Sequence, residues 1–234
     1  MSLLWLFLFV PVSYLIGCIN ISKLIAKRKG QDISKIGSGN PGATNMLRNY
    51  GFKVGLFVLL FDVVKGVVPA AIAFFVFGGG IEYRVFNSQI ALFACGFAVI
   101  MGHCFPVTQK FKGGKGVATT IGVFMVAHPI ISLIAFALTM LYIFIFEYGA
   151  MASFLYITFM VVYAALQTFN NTNIAVACML FAIYFLIWFT HRQNIFRLLT
   201  GRENFASVFK SFHRKRIRRE QQKWLEEIKS GSKS

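Results

Sequence analysis

An all-α integral membrane protein is the fold class this sequence predicts, on three observations. Of its 234 residues 57% are hydrophobic and only 14% charged, where soluble domains average about a quarter charged. Several apolar stretches reach the roughly 20 residues that cross a hydrocarbon core as a helix. The charge is also lopsided, with 24 Lys and Arg against 8 Asp and Glu, a balance that suits anionic lipid surfaces or phosphate-bearing substrates.

The apolar runs fall at residues 3–22, 54–77, 88–107, 116–146, 151–168 and 173–190. No basic residue precedes the first run, and the first lysine is Lys23, so it reads as a retained helix rather than a secretory signal. The fourth run is longer than one tilted helix needs, and Pro129 divides it. The count is therefore six or seven, and charge decides between them. One basic cluster runs from Lys27 to Lys53, a second holds Lys110, Lys112 and Lys115, and a third runs from Arg192 to Lys233. Cytoplasmic loops carry the excess of Lys and Arg. Seven transmembrane helices, with the N-terminus outside and the C-terminus cytoplasmic, place all three clusters inside; six would put the basic tail outside. Residues 116–128 are short for a crossing, so that helix is expected to start below the surface with its glycine loop partly buried.

Residues 1–201 then form the membrane domain, and 202–234 a basic cytoplasmic tail. In the tail, Phe209, Phe212, Ile217, Trp224, Leu225 and Ile228 alternate with basic residues, a pattern suited to an interfacial helix on the anionic inner leaflet. Membrane lipid, and not nucleic acid, is its expected partner. Cys18, Cys95, Cys104 and Cys178 lie in or beside apolar segments without CxxC spacing, and read as small buried hydrophobes.

Three polar motifs coincide with the basic clusters. In "KIGSGNPGATNMLRNYG", residues 35–51, glycines allow close approach to an anion. Ser38, Asn40, Thr44 and Asn45 add hydroxyl and amide groups, and Arg48 can clamp a phosphate through two parallel hydrogen bonds. In "GHCFPVTQKFKGGKGVATTIG", residues 102–122, the ATP-binding spacing GxxxxGK[ST] fails because Gly116 follows Lys115. The physics remains: amides of Gly113, Gly114 and Gly116 can converge on an oxyanion at a helix N-terminus, Lys115 adds a full charge, and Thr119 or Thr120 a hydroxyl. In "HRQNIFRLLTGREN", residues 191–204, His191, Asn194 and Arg197 recur at threes and share a helical face.

Asp62 and Lys65 stand within the second span at i,i+3 spacing. Intramembrane ionisable groups are costly and mark function by default, so the pair is read either as a steadying ion pair or as a substrate contact through Lys65. His103, near a helix end, is read as a structural hydrogen-bonding group.

These four motifs, "GSGNPGATNMLR", "DVVKGVVP", "GHCFPVTQKFKGGKGVATTIG" and "HRQNIFRLLTGREN", on seven spans, resemble the bacterial PlsY-type glycerol-3-phosphate acyltransferases up to about residue 204. The resemblance implies transfer of a fatty acyl group from acyl phosphate to the sn-1 hydroxyl of glycerol 3-phosphate. Lysophosphatidate and phosphate would be the products, made at the cytoplasmic face of the bacterial inner membrane for phospholipid biosynthesis. It further implies that Ser38 and Arg48 are needed for activity and that the 113–116 loop holds a phosphate. His191 with Asn194 would bind glycerol 3-phosphate, and Glu203 would be structural.

On that basis the "GGKG" loop, Ser38 and Thr44 are expected to hold acyl phosphate. Arg48, Lys115, His191 and Asn194 are expected to hold glycerol 3-phosphate, with Lys115 serving both. No cofactor and no metal is expected. An HxxxxD arrangement is absent, because Thr108 and Phe196 stand five residues after His103 and His191. His191, His103 or a phosphate oxygen of the substrate can then take the proton, and the scarcity of cytoplasmic carboxylates favours the substrate. A transporter for a phosphorylated solute or anionic lipid is the competing class. It requires a midplane site and usually a repeat, whereas these polar clusters share one face.

Overall fold

Long apolar runs pair their backbone groups within their own segment, and the described chain is helical with no strand among the described residues. The computed structural model describes residues 4–77, 84–169, 173–203 and 206. The helices are α1 (Leu4–Gly17), α2 (Ile21–Arg28), α3 (Ala43–Tyr50), α4 (Phe52–Val76) and α5 (Arg84–Cys104), then α6 (Val117–Ala127), α7 (Pro129–Phe146), α8 (Gly149–Phe169), α9 (Ile174–Thr190) and α10 (Arg192–Leu199).

Among the described residues five stretches are long and apolar enough to cross a membrane: Trp5–Arg28, Phe52–Val76, Ser88–Gln109, Pro129–Phe146 and Gly149–Gln167. The pair α9 and α10, bent by 56°, makes a sixth if taken as one span. At 11 residues, α6 is about 16 Å long and falls short of a bilayer's hydrocarbon thickness by itself. Pro129 opens α7 at its first turn, where the missing N–H has no helical partner to lose. The first apolar run is not one helix. It breaks after Gly17, and Asn20 caps α2 by accepting a hydrogen bond from the Lys23 amide at 3.0 Å.

Helices pack closely where small residues let backbones meet. A Cβ added to Gly66 of α4 would lie 2.1 Å from the Thr119 carbonyl oxygen of α6, and one added to Gly122 of α6 equally close to that of Val63. Gly17 and Gly102 make the corresponding contact between α1 and α5. The core is built on α5, α6, α8 and α9, with Phe93, Phe124, Tyr156, Ile157, Met160 and Ile183 buried together. Phe7, Leu138 and Phe181 stand on the exposed apolar surface that a membrane protein offers to lipid. Cys18, Cys95 and Cys104 are buried, but Cys178 lies on the exposed face of α9, so the expectation of four buried thiols holds for three.

The segments carrying the three polar motifs meet around one cavity at one end of the bundle. Gly116 and Gly149 both line it; α6 and α7 therefore leave that end together and return to it. The chain beyond α10 stays attached to the same end, with the Ala206 amide donating to the Glu147 carbonyl oxygen at 2.6 Å. The aromatic and basic residues expected to form an interfacial helix, from Phe209 onward, lie outside the described residues.

Candidate active site

The cavity has a volume of about 140 Å³, small beside the 300–1,000 Å³ typical of drug-sized ligand pockets. It suits a small polar molecule, with any long apolar tail left among the helices. Ser38, Asn40, Thr44, Asn45 and Arg48 line it from the first motif, Lys115 and Gly116 from the second, and His191, Asn194 and Glu203 from the third. Leu59, Ile121, Met140 and Ile143 provide an apolar wall, and Thr139 and Ser153 add hydroxyls from α7 and α8. Neither Lys65, Gly113, Gly114 nor Thr119 is part of the lining.

The first motif is braced by Asn45. Its Oδ1 accepts from the Ser38 amide at 3.1 Å and from Asn49 Nδ2 at 3.0 Å, and its Nδ2 donates to the Ile36 carbonyl at 2.9 Å. That side chain, expected to bind substrate, is thus taken up in shaping the loop that presents Ser38. Gly42 caps α3 without a side-chain bond, so the amides of the first turn of α3 face the cavity beside Thr44.

The second motif differs from expectation in its amides. Gly113 N–H donates to the Cys104 carbonyl at 3.1 Å and Gly114 N–H to that of His103 at 3.0 Å, closing the end of α5. The first turn of α6 adds further amides beyond Gly116, which caps the helix in the left-handed region at φ 86° with no side-chain bond. Two helix N-termini therefore open on one cavity, each favouring negative charge. Thr120 Oγ1 bonds back to the Gly116 carbonyl at 2.9 Å, and the backbone of buried Thr119 packs against Gly66 of α4.

The third motif holds Lys115. Thr190 Oγ1 donates to the Lys115 carbonyl at 3.0 Å, and Lys115 Nζ donates to Asn194 Oδ1. Asn194 Nδ2 in turn donates to Glu203 Oε1 at 2.8 Å. Arg197 Nε lies 3.6 Å from Glu203 Oε2, an ion-pair distance beyond hydrogen-bond reach. Burial pushes Lys115 down to about 8; Glu203 opposes that shift, and Arg197 and Arg48 reinforce it. Burial likewise holds Arg48 below the ordinary arginine value, again with Glu203 opposing. The Arg48 Nε is buried without a hydrogen-bond partner among the described residues. His191 is buried, and its Nδ1 lies 2.8 Å from the Ile187 carbonyl oxygen. Only a protonated Nδ1 bonds a carbonyl, so Nε2 is the acceptor nitrogen of the neutral ring.

Asp62 and His103 also line the cavity. Lys65 Nζ donates to Asp62 Oδ1 at 2.7 Å and to the Ile19 carbonyl, freed by the break between α1 and α2, at 2.9 Å. Of the two readings of that pair, the ion pair is the geometry present.

The chain is thus a helical protein of the membrane type, with cationic side chains and two helix N-termini around one small cavity. The family model described as glycerol-3-phosphate acyltransferase matches residues 7–201. The chain is 41% identical over 201 residues to the glycerol-3-phosphate acyltransferase of Aquifex aeolicus, covering 83% of this chain and 96% of that protein. It is 39% identical over 196 residues to that of Thermoanaerobacter sp., covering 82% and 91%. Among solved structures it is similar to PlsY (YgiH), an integral membrane glycerol 3-phosphate acyltransferase. In the glycerol 3-phosphate form the TM-score is 0.75 at 36% identity, covering 86% of this chain and 94% of that one. In the lysophosphatidic acid form it is 0.74 at 34%, covering 89% and 98%. The chain belongs to the glycerol-3-phosphate acyltransferase family.

Proposed function

We propose that this protein transfers a fatty acyl group from acyl phosphate to the sn-1 hydroxyl of glycerol 3-phosphate, releasing lysophosphatidate and inorganic phosphate. The observation that carries the reading is the mixed lining of the cavity. Arg48, Lys115 and the residues opening α3 and α6 line it together with the apolar Leu59, Ile121, Met140 and Ile143. Two phosphates and one acyl chain require that combination.

In this mechanism the amides of α6, Ser38 and Thr44 hold the acyl phosphate, while Arg48, Lys115, Asn194 and His191 hold glycerol 3-phosphate. Lys115, tethered to Asn194, serves both. The sn-1 oxygen attacks the acyl carbon, the bond from that carbon to the phosphate oxygen breaks, and the hydroxyl proton passes to the departing phosphate. Acyl phosphate is already a good leaving system, so alignment and stabilisation of the oxyanion are the main demands on the protein. His191 acts by orienting the acceptor rather than by removing its proton, and no cofactor takes part.

The same reading places the chain in a bacterial inner membrane. It has seven crossings, an external N-terminus, and the cavity and C-terminus facing the cytoplasm. In support, the basic loops border one cavity, and α6 with α7 leaves and returns to it. Residues 1–201 form the catalytic domain, and the basic segment within 202–234 rests on the anionic inner leaflet, with no nucleic acid partner. Cysteines introduced at Lys35 and Asn171 test the topology: an impermeant thiol reagent added outside whole cells should reach the second and spare the first.

Purified protein given palmitoyl phosphate and glycerol 3-phosphate tests the reaction. Lysophosphatidate should form with the wild type and be lost in a folded Arg48→Ala variant. Well-folded wild type that yields no product overturns the proposal.

A further inference from the structure

Two ionisable side chains line the cavity that the mechanism above does not use. Asp62 of α4 and His103 of α5 are 3% and 4% exposed, as deeply buried as His191, whereas Ser38, Arg48 and Lys115 are only partly buried. A carboxylate is a poor neighbour for a phosphate. It is an acceptor-only group that pairs well with a hydroxyl, and the bond from Lys65 to its Oδ1 offsets its charge.

His103 Nδ1 lies 3.6 Å from Asp62 Oδ1, too far for a hydrogen bond, and has no hydrogen-bond partner among the described residues. The ring packs tightly against Gly114. A Cβ built on Gly114 would meet the His103 Nε2, Cε1 and Cδ2 atoms at 2.1, 2.9 and 3.0 Å, so the imidazole is wedged against that glycine. Orphaned buried polar atoms are rare, and this one borders the cavity.

We propose that Asp62 and His103 form a hydroxyl-recognition subsite that holds the non-reacting C2 hydroxyl of the acceptor and so selects a vicinal diol phosphate over a simple alcohol phosphate. The inference rests on the acyltransferase reading above. A hydroxyl between the two groups donates to the Asp62 carboxylate and accepts from Nδ1–H, or donates to Nδ1 when that nitrogen is bare; each tautomer leaves the pair satisfied. The reacting hydroxyl stays beside the apolar wall, where an acyl carbonyl can meet it.

The test compares kcat/KM for glycerol 3-phosphate with that for 3-hydroxypropyl phosphate, which lacks the C2 hydroxyl, in wild type and His103→Leu. A site built to bond a hydroxyl rejects the analogue lacking it, so the wild type should prefer glycerol 3-phosphate by about 100-fold or more. In His103→Leu the preference should fall below about tenfold through loss with glycerol 3-phosphate alone, since the analogue never used the subsite. A purely structural role lowers both rates in parallel and leaves the ratio unchanged, which overturns the inference. A wild-type ratio near one overturns it without any variant. Should His103→Leu fail to fold, Asp62→Asn takes its place, and a fall in the ratio supports the subsite while an unchanged ratio overturns it. Absence of product from both acceptors overturns the acyltransferase reading and this subsite with it.

Discussion

Lys115 is held by Asn194, whose carbonyl oxygen accepts from the ammonium while its amide donates to Glu203. The amide side chain passes the influence of a buried carboxylate to the cation without direct contact between them. Lys115 is thereby fixed in place yet not neutralised, and its charge remains available to an incoming phosphate.

That arrangement makes acceptor binding pH-sensitive. Free Lys115 titrates at about 8, and a bound phosphate favours its charged form. The KM for glycerol 3-phosphate should therefore rise about tenfold per unit as pH climbs above 8, with kcat changing less. Unfolding does not mimic this. The lysine pKa is depressed in the folded state, so the unfolded chain binds more protons between about 8 and the ordinary lysine value, and this group adds stability as pH rises through that window. Kinetics and thermal melts across pH 7 to 10 separate the two effects. Lys115→Met should lose about 2 to 5 kcal/mol of transition-state binding, or roughly 30- to 5,000-fold in kcat/KM.

His191 tests where the proton goes. Its Nδ1 is engaged by the Ile187 carbonyl, and only Nε2 is left to meet the acceptor. With the substrate's phosphate taking the proton, His191→Gln should raise KM for glycerol 3-phosphate while keeping kcat within about tenfold, since general-base catalysis typically contributes 100- to 10,000-fold. A kcat that collapses with binding preserved assigns the proton to His191.

Glu203 is the only carboxylate that bonds Asn194 among the described residues, and it lies close to Arg197. Glu203→Ala leaves Arg48, Lys115 and Arg197 facing one another without it. Breaking a buried pair on one side costs about 3 to 5 kcal/mol; partly exposed Arg197 places the loss near the lower figure. The melting temperature should fall accordingly, and millimolar inorganic phosphate should restore part of it by supplying the missing anion.

The crossing of α4 and α6 sets the height of the Lys115 loop against Asp62. Gly122→Ala would drive a methyl into the Val63 carbonyl, 2.1 Å from the ideal Cβ position, and backbone cannot yield as a side chain does. A loss of about 1 to 3 kcal/mol in stability is expected, read as a lower melting temperature in detergent. Gly30→Ala is the contrasting case: it has open space around it but φ of +66°, so it reports backbone strain without a clash, whereas helical Gly122→Ala reports the clash without that strain.

Charge and glycine placement made the polar end of the molecule legible in advance. The basic clusters named the segments that meet at the cavity, and Arg48, Lys115, His191 and Asn194 were each visible as anion-binding types at suitable spacings. What stayed hidden depended on which way apolar helices face. In a membrane protein, lipid-facing and core-facing positions are both apolar, so periodicity gave no warning that Thr139 and Ser153 would line the cavity. The break between α1 and α2 was hidden inside a continuous apolar run, and its partner, Lys65, lies in another helix. Amides carry no sequence signal: "GGKG" offered four, and only the fold reveals that two of them close α5. Nor does composition show that the Asn45 side chain braces the loop by accepting from the Ser38 amide.

The identity of the acyl donor separates this reaction from every thioester-dependent one. Purified protein should be offered glycerol 3-phosphate with palmitoyl phosphate in one reaction and palmitoyl coenzyme A in another, with lysophosphatidate, inorganic phosphate and free thiol followed together. Lysophosphatidate and phosphate should form in equal amounts from the first, with no product from the second. Product formed only from the thioester, with thiol released in step, would contradict it.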